Sequence, residues 1–303
     1  MSGTPGFRVA SVDYQAALDD LRRVRETVFV QEQQVPVDLE WDALDPLCHH
    51  VVAYDDDGRA IGTGRLTPER KIGRMAVLAD WRGRGVGEAL LAALIAEARQ
   101  RQWPQVSVHG PVSSQAFYAR QGFLPQGDRF QEAGIEHQSM HRRLGAAMAI
   151  EQAREATAIV SAVATQAHRS LCIYSRDLDP GLFDAPPVLD ALRRLAIRQR
   201  GGVIRVLVLD AATPQRNLAP LIGLAQRLPS VFAFRQTRDP VDRGYPSAYV
   251  VNDDGGYYFR PPGHRFEGGA GLGHGGRARQ LREEFGHVWE RSRAVTEYRA
   301  LGL

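Results

Sequence analysis

Cysteine is scarce: Cys48 and Cys172 are the only two in 303 residues, and they lie in different halves of the chain. That excludes a disulfide framework, and no histidine or cysteine stands at metal-ligand spacing from either, so no metal is expected. Two reduced, mostly buried thiols in a cytoplasmic protein are the expectation. No stretch approaches the roughly 18 consecutive apolar residues of a membrane helix, and the opening MSGTPGFRVASVDY has no charged segment leading into an apolar one. Neither a membrane partner nor a secretory leader is expected. Lysine is nearly missing too, since Lys71 is the sole one among 38 basic residues. No run of basic residues interleaved with aromatics appears, which argues against nucleic acid as a partner, and no internal repeat relates the halves.

What is present is enough for two cores. A chain of 303 residues with 44% hydrophobic content predicts two globular domains, placed at 1–145 and 146–303. The first holds 17 basic against 19 acidic residues, or −2, and the second 21 against 16, or +5, in line with the overall +3. An excess of that size can draw an anionic partner to the second domain.

Residues 71 to 91, KIGRMAVLADWRGRGVGEALL, read as an apolar strand, a glycine-rich turn with two arginines, and a helix that starts inside the glycines. A helix start leaves backbone N–H groups unpaired beside the positive end of the dipole, which suits a pyrophosphate. Gly83, Gly85 and Gly87 have no Cβ to hold a phosphate off those amides. No Gly-Lys-Ser/Thr follows, so this is not a P-loop, and Asp80, Trp81 and Arg82 separate the strand from the glycines, unlike a dinucleotide fingerprint. Downstream, Leu90, Leu91, Leu94, Ile95 and Ala98 repeat at helical spacing, Val106 and Val108 alternate as a strand, and Phe117-Tyr118 precedes Gly122-Phe123.

The spacing Arg82-x-x-Gly85-x-Gly87 together with that second motif resembles the GCN5-related N-acetyltransferases (GNAT). The run VFVQEQQVPVDLEWDALDPLCHH from Val28 to His50, GTGRL at 62–66 and RFQEAGIEHQSM at 129–140 resemble its ElaA-like branch. The resemblance implies an α/β mixed-sheet acyl-CoA N-acyltransferase fold that moves an acetyl group from acetyl-CoA to an amine by direct attack. It implies cofactor contacts from Met75, Ala76, Val77, Arg82, Gly83, Arg84, Gly85, Val86, Gly87, Ser114 and Tyr118. Such chemistry needs a group to take the amine's proton and one to protonate the leaving thiolate. Tyr118 is the expected acid. Glu40 is the leading base with Asp42 as alternative, and a histidine or water stays open. Glu32, His49, Glu132 and His137 are expected to line the acceptor pocket, His49 and His50 alternating so that one points inward. Pro111, where the family often places a side-chain amide, departs from the pattern and leaves Ser113 or Ser114 to substitute. One helix is expected within Asp13–Glu32, and a hairpin from His50 to Leu66.

In the second half a long amphipathic helix is expected from Ala146, carrying Ile150, Ala153, Ala156, Ile159, Val160 and Val163. Strands at 170–174, 202–210 and 247–252 and helices at 187–200 and 281–289 follow, giving α/β layers. The succession LCIYSRDL, ALRRLAIRQRGGVIRVLVLD, PSAYVVNDDGGYYF and REEFGHVWERS resembles one phospholipase-D-like repeat. That family's HxKxxxxD is not retained: counting back from Asp253 gives Pro246 and Ala248, and from Asp254, Ser247 and Tyr249. The domain is therefore expected to be catalytically silent, His264 and His274 in the glycine-rich stretch notwithstanding, and to bind a ligand, shape the acceptor site or form a homodimer. A small-molecule or peptide amine is the expected acceptor. A non-enzymatic acyl-CoA sensor whose second domain binds an anionic partner is the alternative.

Overall fold

The computed structural model of the chain describes residues 6–132, 134–145, 147–198, 203–273 and 275–298. Two compact units are present, Met1–Ser113 with Gln126–Gly145, and Ser114–Pro125 with Ala146–Leu303. The segment Ser114–Pro125, expected in the first domain, thus makes its contacts within the second unit.

The first unit is built on β1 (Phe7–Val12), β2 (His49–Asp55), β3 (Ala60–Leu66), β4 (Lys71–Val77), β5 (Gln105–Pro111), β6 (Leu124–Glu132) and β7 (Ile135–Arg143), with α1 (Leu18–Arg25), α2 (Val37–Glu40) and α3 (Val86–Gln100). The sheet order is β1-β2-β3-β4-β5-β7-β6. The first four strands form an antiparallel meander because short turns such as Asp55–Gly58 allow only that. Leu21, Val24 and Val28 lie at helical spacing and pack on Val52, Ala60 and Ala76 of the sheet. The single helix expected up to Glu32 is interrupted: α1 passes at Glu26–Glu32 into a wide π turn in which the Gln33 amide reaches the Val28 carbonyl. The extra residue per turn keeps Val28 in the core while Phe29 packs beside it.

Strands β4 and β5 run parallel but pair only at Lys71–Ser107 and Ile72–Val108. Beyond that point they part, β5 bonding β7 along Gln105–Pro111. Just past the fork, β3 contributes one residue between the pairs Arg65–Gly73 and Thr63–Ala76 where β4 contributes Arg74 and Met75. This is a bulge, and Arg74 takes a positive φ of 50° there.

The second unit holds α4 (Gln115–Arg120), β8 (Met148–Ile150), α5 (Ala153–Gln166), β9 (Ser170–Ser175), α6 (Pro186–Arg198), β10 (Val203–Val208), α7 (Ala212–Arg216), α8 (Pro220–Arg227), β11 (Phe232–Gln236), α9 (Pro240–Arg243), β12 (Ala248–Asn252), β13 (Gly256–Arg260), β14 (Gly268–Leu272), α10 (Gly275–Arg291) and β15 (Arg293–Ala294). Its sheet runs β15-β11-β10-β9-β12-β13-β14-β8, with β9, β10 and β11 parallel and the other pairings antiparallel. The helix expected from Ala146 starts later. Ile150 pairs with Gly268 as part of β8, and α5 begins after Gln152, whose side chain and that of Glu155 cap the free amides reciprocally. α4 packs against α5. One face of the sheet, with Cys172, Tyr174, Leu207, Tyr249 and Val251, is covered by Leu281, Phe285 and Trp289 of α10.

Candidate active site

The fork and the glycine turn place the backbone groups that the sequence singled out. After β4 the chain makes a single 3-10 turn at Ala79–Trp81, passes Gly83 and Gly85 at φ of 72° and 88°, and enters α3. Gly85 is the N-cap, and no side chain caps the helix. The glycines are required by these left-handed conformations, since a Cβ on either would meet nothing within 4 Å. The amides of the first turn of α3 are therefore open to an anion, and the dipole of a 15-residue helix favours it.

The two arginines of the turn differ. Arg82 donates to both carboxylate oxygens of Glu32 at 2.6 Å and, through Nε, to the Val77 carbonyl at 2.9 Å. Glu32, expected at the acceptor pocket, is thus the partner of Arg82. Hydrogen bonds from Arg82 hold its carboxyl below the ordinary range. Arg84 is exposed and lies over the Trp81 ring at 5.1 Å.

On the β4 side of the fork, the acidic run from Glu40 to Asp45 is not a solvated loop. Arg25, fully buried, donates Nε to Glu40 at 2.5 Å, both Nη groups to Asp45 at 3.0 Å, and Nη2 to the Glu40 carbonyl at 2.8 Å. Arg65 bonds Asp42 through two nitrogens at 2.9 Å and Asp45 at 2.7 Å. Arg74, on the bulge, reaches the Glu40 carbonyl at 3.0 Å and lies 3.3 Å from Glu40 Oε2 and from Asp42. Burial pushes the Glu40 carboxyl up despite Arg25 and Arg74. In Asp42 and Asp45 burial acts the same way but is outweighed by hydrogen bonds from Arg65 and Arg25, and both are held low. Glu40, the leading base, and Asp42, its alternative, thus have their oxygens engaged by guanidinium groups, Glu40 almost wholly buried and Asp42 at the partly exposed edge of the network.

On the β5 side, the first residue past the fork is His109. Lys71 Nζ lies 2.7 Å from its Nδ1, and Glu132 is 4.0 Å from the same nitrogen. Burial and the Lys71 charge lower the His109 pKa, and burial lowers that of Lys71. Phe130 meets His109 edge-on and stacks with His137, whose Nδ1 is 2.9 Å from the Ile135 carbonyl. Glu132 and His137 therefore both lie near His109, which Lys71 contacts. His49 does not join them: its ring contacts Ser11 at 3.2 Å and lies 3.8 Å from Glu97. Alternation turns His50 inward, onto the Asp45 carbonyl at 2.8 Å. Tyr118, on α4 of the second unit, is buried among Phe117 and Phe123, and burial pushes its phenol up to about 12. Ser114 is the N-cap of the same short helix. Among the described residues no histidine, cysteine and carboxylate group could hold a metal ion, and no helix is long and apolar enough to cross a membrane.

A family profile described as an acetyltransferase (GNAT) domain matches residues 18–144. The uncharacterized N-acetyltransferase YjcF of Bacillus subtilis is 33% identical over 127 residues, covering 41% of this chain and 90% of the relative. The chain belongs to the GNAT acetyltransferases. The GNAT half is also 35% identical over 145 residues to the UPF0039 protein MT2917 of Mycobacterium tuberculosis, covering 45% of this chain and 90% of that one. Escherichia coli ElaA, a solved structure, is 25% identical with a TM-score of 0.40, covering 45% of this chain and 99% of the other. Residues 152–301, outside the GNAT half, match a profile described only as a domain of unknown function (DUF7931). Membership of the family supports an acyltransferase that uses acyl-CoA.

Sequence reasoning missed Arg25, Arg65 and Arg74 as partners of the acidic run, and Lys71 with His109. For His109 a signal existed: alternation from Val106 and Val108 sends it to the opposite face of β5.

Proposed function

We propose that the GNAT half transfers an acetyl group from acetyl-CoA to the nitrogen of a small-molecule or peptide amine by direct attack on the thioester. The observation that carries this reading is the fork. Between Ile72 and Val108 two parallel strands part next to a bulge and a glycine-capped helix start, which offers unpaired strand backbone to a pantetheine arm and helix amides to a pyrophosphate. Met75, Ala76 and Val77 lie on one prong. Arg82 can exchange its exposed pairing with Glu32 for a phosphate at little cost, since solvent screens such a surface pair.

Two groups flank the fork as candidate bases. Glu40 has both oxygens beside guanidinium groups and is almost wholly buried, so His109 is the better placed of the two. While Lys71 is protonated, His109 accepts its hydrogen at Nδ1 and keeps its own on Nε2. Loss of one proton from the pair leaves Nε2 free to take the proton of the attacking ammonium. Tyr118, kept protonated by burial, is the proposed donor to the departing thiolate.

We read the DUF7931 half as a phospholipase-D-like layer without chemistry. Its support is the parallel trio continued by antiparallel strands, and the burial of Ala248 and Tyr249 in β12, where a reactive side chain would be needed. His264 is exposed, and His274 lies outside the described residues. The test is an amine-library screen with acetyl-CoA and thiol release as readout, run beside phosphodiester substrates. Amine-dependent release with no phosphodiester cleavage is expected. Absence of acetyl-CoA binding by calorimetry would overturn the reading, and cleavage lost on changing His264 would overturn the second half of it.

A further inference from the structure

We propose that the second unit carries a binding site for a small phosphate monoester, in the crevice at the carboxyl ends of its three parallel strands. Strands β9, β10 and β11 run in one direction in the register Ser175–Val208–Gln236, so their last residues and the loops that follow share one edge. The chain steps from β9 to β10 to β11 on one side. It then crosses through α9 to β12 on the other side of β9. Because β12 is antiparallel to β9, its first residue lies at this same edge, and the loops after β9, β10 and β11 meet there with the segment α9 that leads into β12.

That edge contains a crevice of about 320 Å³ lined by Arg176, Leu209, Asp210, Gln236 and Arg243. Arg176 follows β9 directly, and Arg243 ends the crossing segment α9. Both are exposed, and neither side chain has a hydrogen-bond or ion-pair partner among the described residues. Their neighbours are committed: Arg291 pairs with Asp242 at 2.5 Å, Arg293 bonds Gln236 and Glu297, and Arg235 donates to the Trp289 carbonyl. The carboxylate in the crevice, Asp210, accepts from the Ala212 and Thr213 amides and the Thr213 hydroxyl and forms no hydrogen bond or ion pair with either arginine, so the two forks stay open and outnumber it. These bonds hold its carboxyl low, so it repels a carboxylate or phosphate that approaches it and confines an anion to the arginine side.

Two planar forks with no partner suit one tetrahedral oxyanion better than two separate anions, and the volume leaves room for a small organic group. The excess of basic over acidic residues in this half supplies long-range attraction of the same sign. Nothing in this inference depends on acetyl transfer by the other unit.

The experiment is calorimetric titration of the full chain at fixed ionic strength with inorganic phosphate and with glycerol 3-phosphate. Saturable binding at one site is expected, with the monoester tighter than phosphate alone. Arg176→Gln and Arg243→Gln should each weaken it about tenfold or more, a change that loss of one charge-assisted contact can produce. Arg176→Lys should fall between, keeping charge but losing the fork. Arg194→Gln, which removes an arginine paired with Asp190 on α6, should leave it unchanged. The same affinity should appear in a Gly85→Val chain, which separates this site from the helix start in the first unit. No saturable binding, equal loss in Arg194→Gln, or wild-type affinity in both glutamine variants would overturn the proposal.

Discussion

Arg25→Met tests the ion network that frames the β4 prong. Arg25 is fully buried and makes four hydrogen bonds, two to Asp45, one to the Glu40 carboxylate and one to its carbonyl, while Trp41 covers its guanidinium at 4.1 Å. Methionine fills much of the volume and supplies no donor. Removing one member of a buried ion group typically costs about 3–5 kcal/mol because the others stay buried without compensation. Here Arg65 still bonds Asp45 and Arg74 still lies 3.3 Å from Glu40, so the loss should sit near the lower end, about 3 kcal/mol.

The sign of the pH dependence follows from the same contacts. Glu40 has a raised pKa in the fold, so its contribution is fully present below the unfolded value and is lost as pH rises through the folded one. Asp42 and Asp45 have lowered values, and their contribution is lost as pH falls. Taking Arg25 away raises Glu40 further, so the deficit of Arg25→Met should be largest near pH 8 and shrink toward pH 5 as Glu40 takes up a proton. Guanidinium unfolding followed by tryptophan emission reads this as a lower midpoint for the first transition at unchanged slope. Adding Glu40→Gln to Arg25→Met should restore part of the loss. A wild-type midpoint for Arg25→Met, or a deficit equal at both pH values, would refute the reasoning.

Four further outcomes are expected. Gly85→Val must force a β-branched residue to φ 88° at an open helix start, so acetyl-CoA affinity should fall by calorimetry while the fold survives. Tyr118→Phe should lower turnover by about 10²–10⁴-fold with cofactor affinity nearly unchanged, whereas wild-type turnover would reduce Tyr118 to packing. His109→Gln should lower turnover over a similar range, about 10²–10⁴-fold, and Lys71→Met should move the rise of activity with pH to lower pH because the ammonium no longer faces Nδ1. Trp289→Ala should cost about 3–5 kcal/mol in the second unit, where that ring stacks on Phe285 at 5.6 Å and is 6% exposed, as read by calorimetric unfolding.

Local features were legible in the sequence. The strand, glycine turn and helix of residues 71–100 follow from contiguous patterning, and the β4 to α3 geometry agrees with it. Phe285 and Trp289, four residues apart, are assigned to one buried helix face by their spacing alone, and both lie in the core under α10. What escaped depends on distant pairing. Ile150 has helical neighbours in sequence but a strand partner at Gly268, so local periodicity assigned it to the wrong element. The π turn after α1 is decided by where Val28 and Phe29 find the core, which no spacing rule contains. The carboxylates Glu40, Asp42 and Asp45 are visible as a cluster because they are adjacent. Their partners Arg25, Arg65 and Arg74 come from α1, β3 and β4, and sequence proximity says nothing of them.

That difference changes the electrostatic argument for the acceptor. Read alone, the acidic run would attract a cationic amine. Set against three guanidiniums at hydrogen-bond or ion-pair distance, its three carboxylates have their charge cancelled locally, and little field is left to draw in a cation. Burial makes Glu40 readier than a free carboxylate to hold a proton, but with one oxygen on Arg25 and the other beside Arg74 neither is open to an approaching ammonium. The run instead anchors the bulge, since Arg74 holds its positive φ while bonding the Leu39 and Glu40 carbonyls. On the reading proposed above, attraction and proton transfer then fall to the other prong, where Glu132 is half-exposed and His109 shares a proton with Lys71. Glu132→Gln should accordingly raise KM for a cationic amine more than it lowers kcat, and an unchanged KM would place acceptor recognition elsewhere.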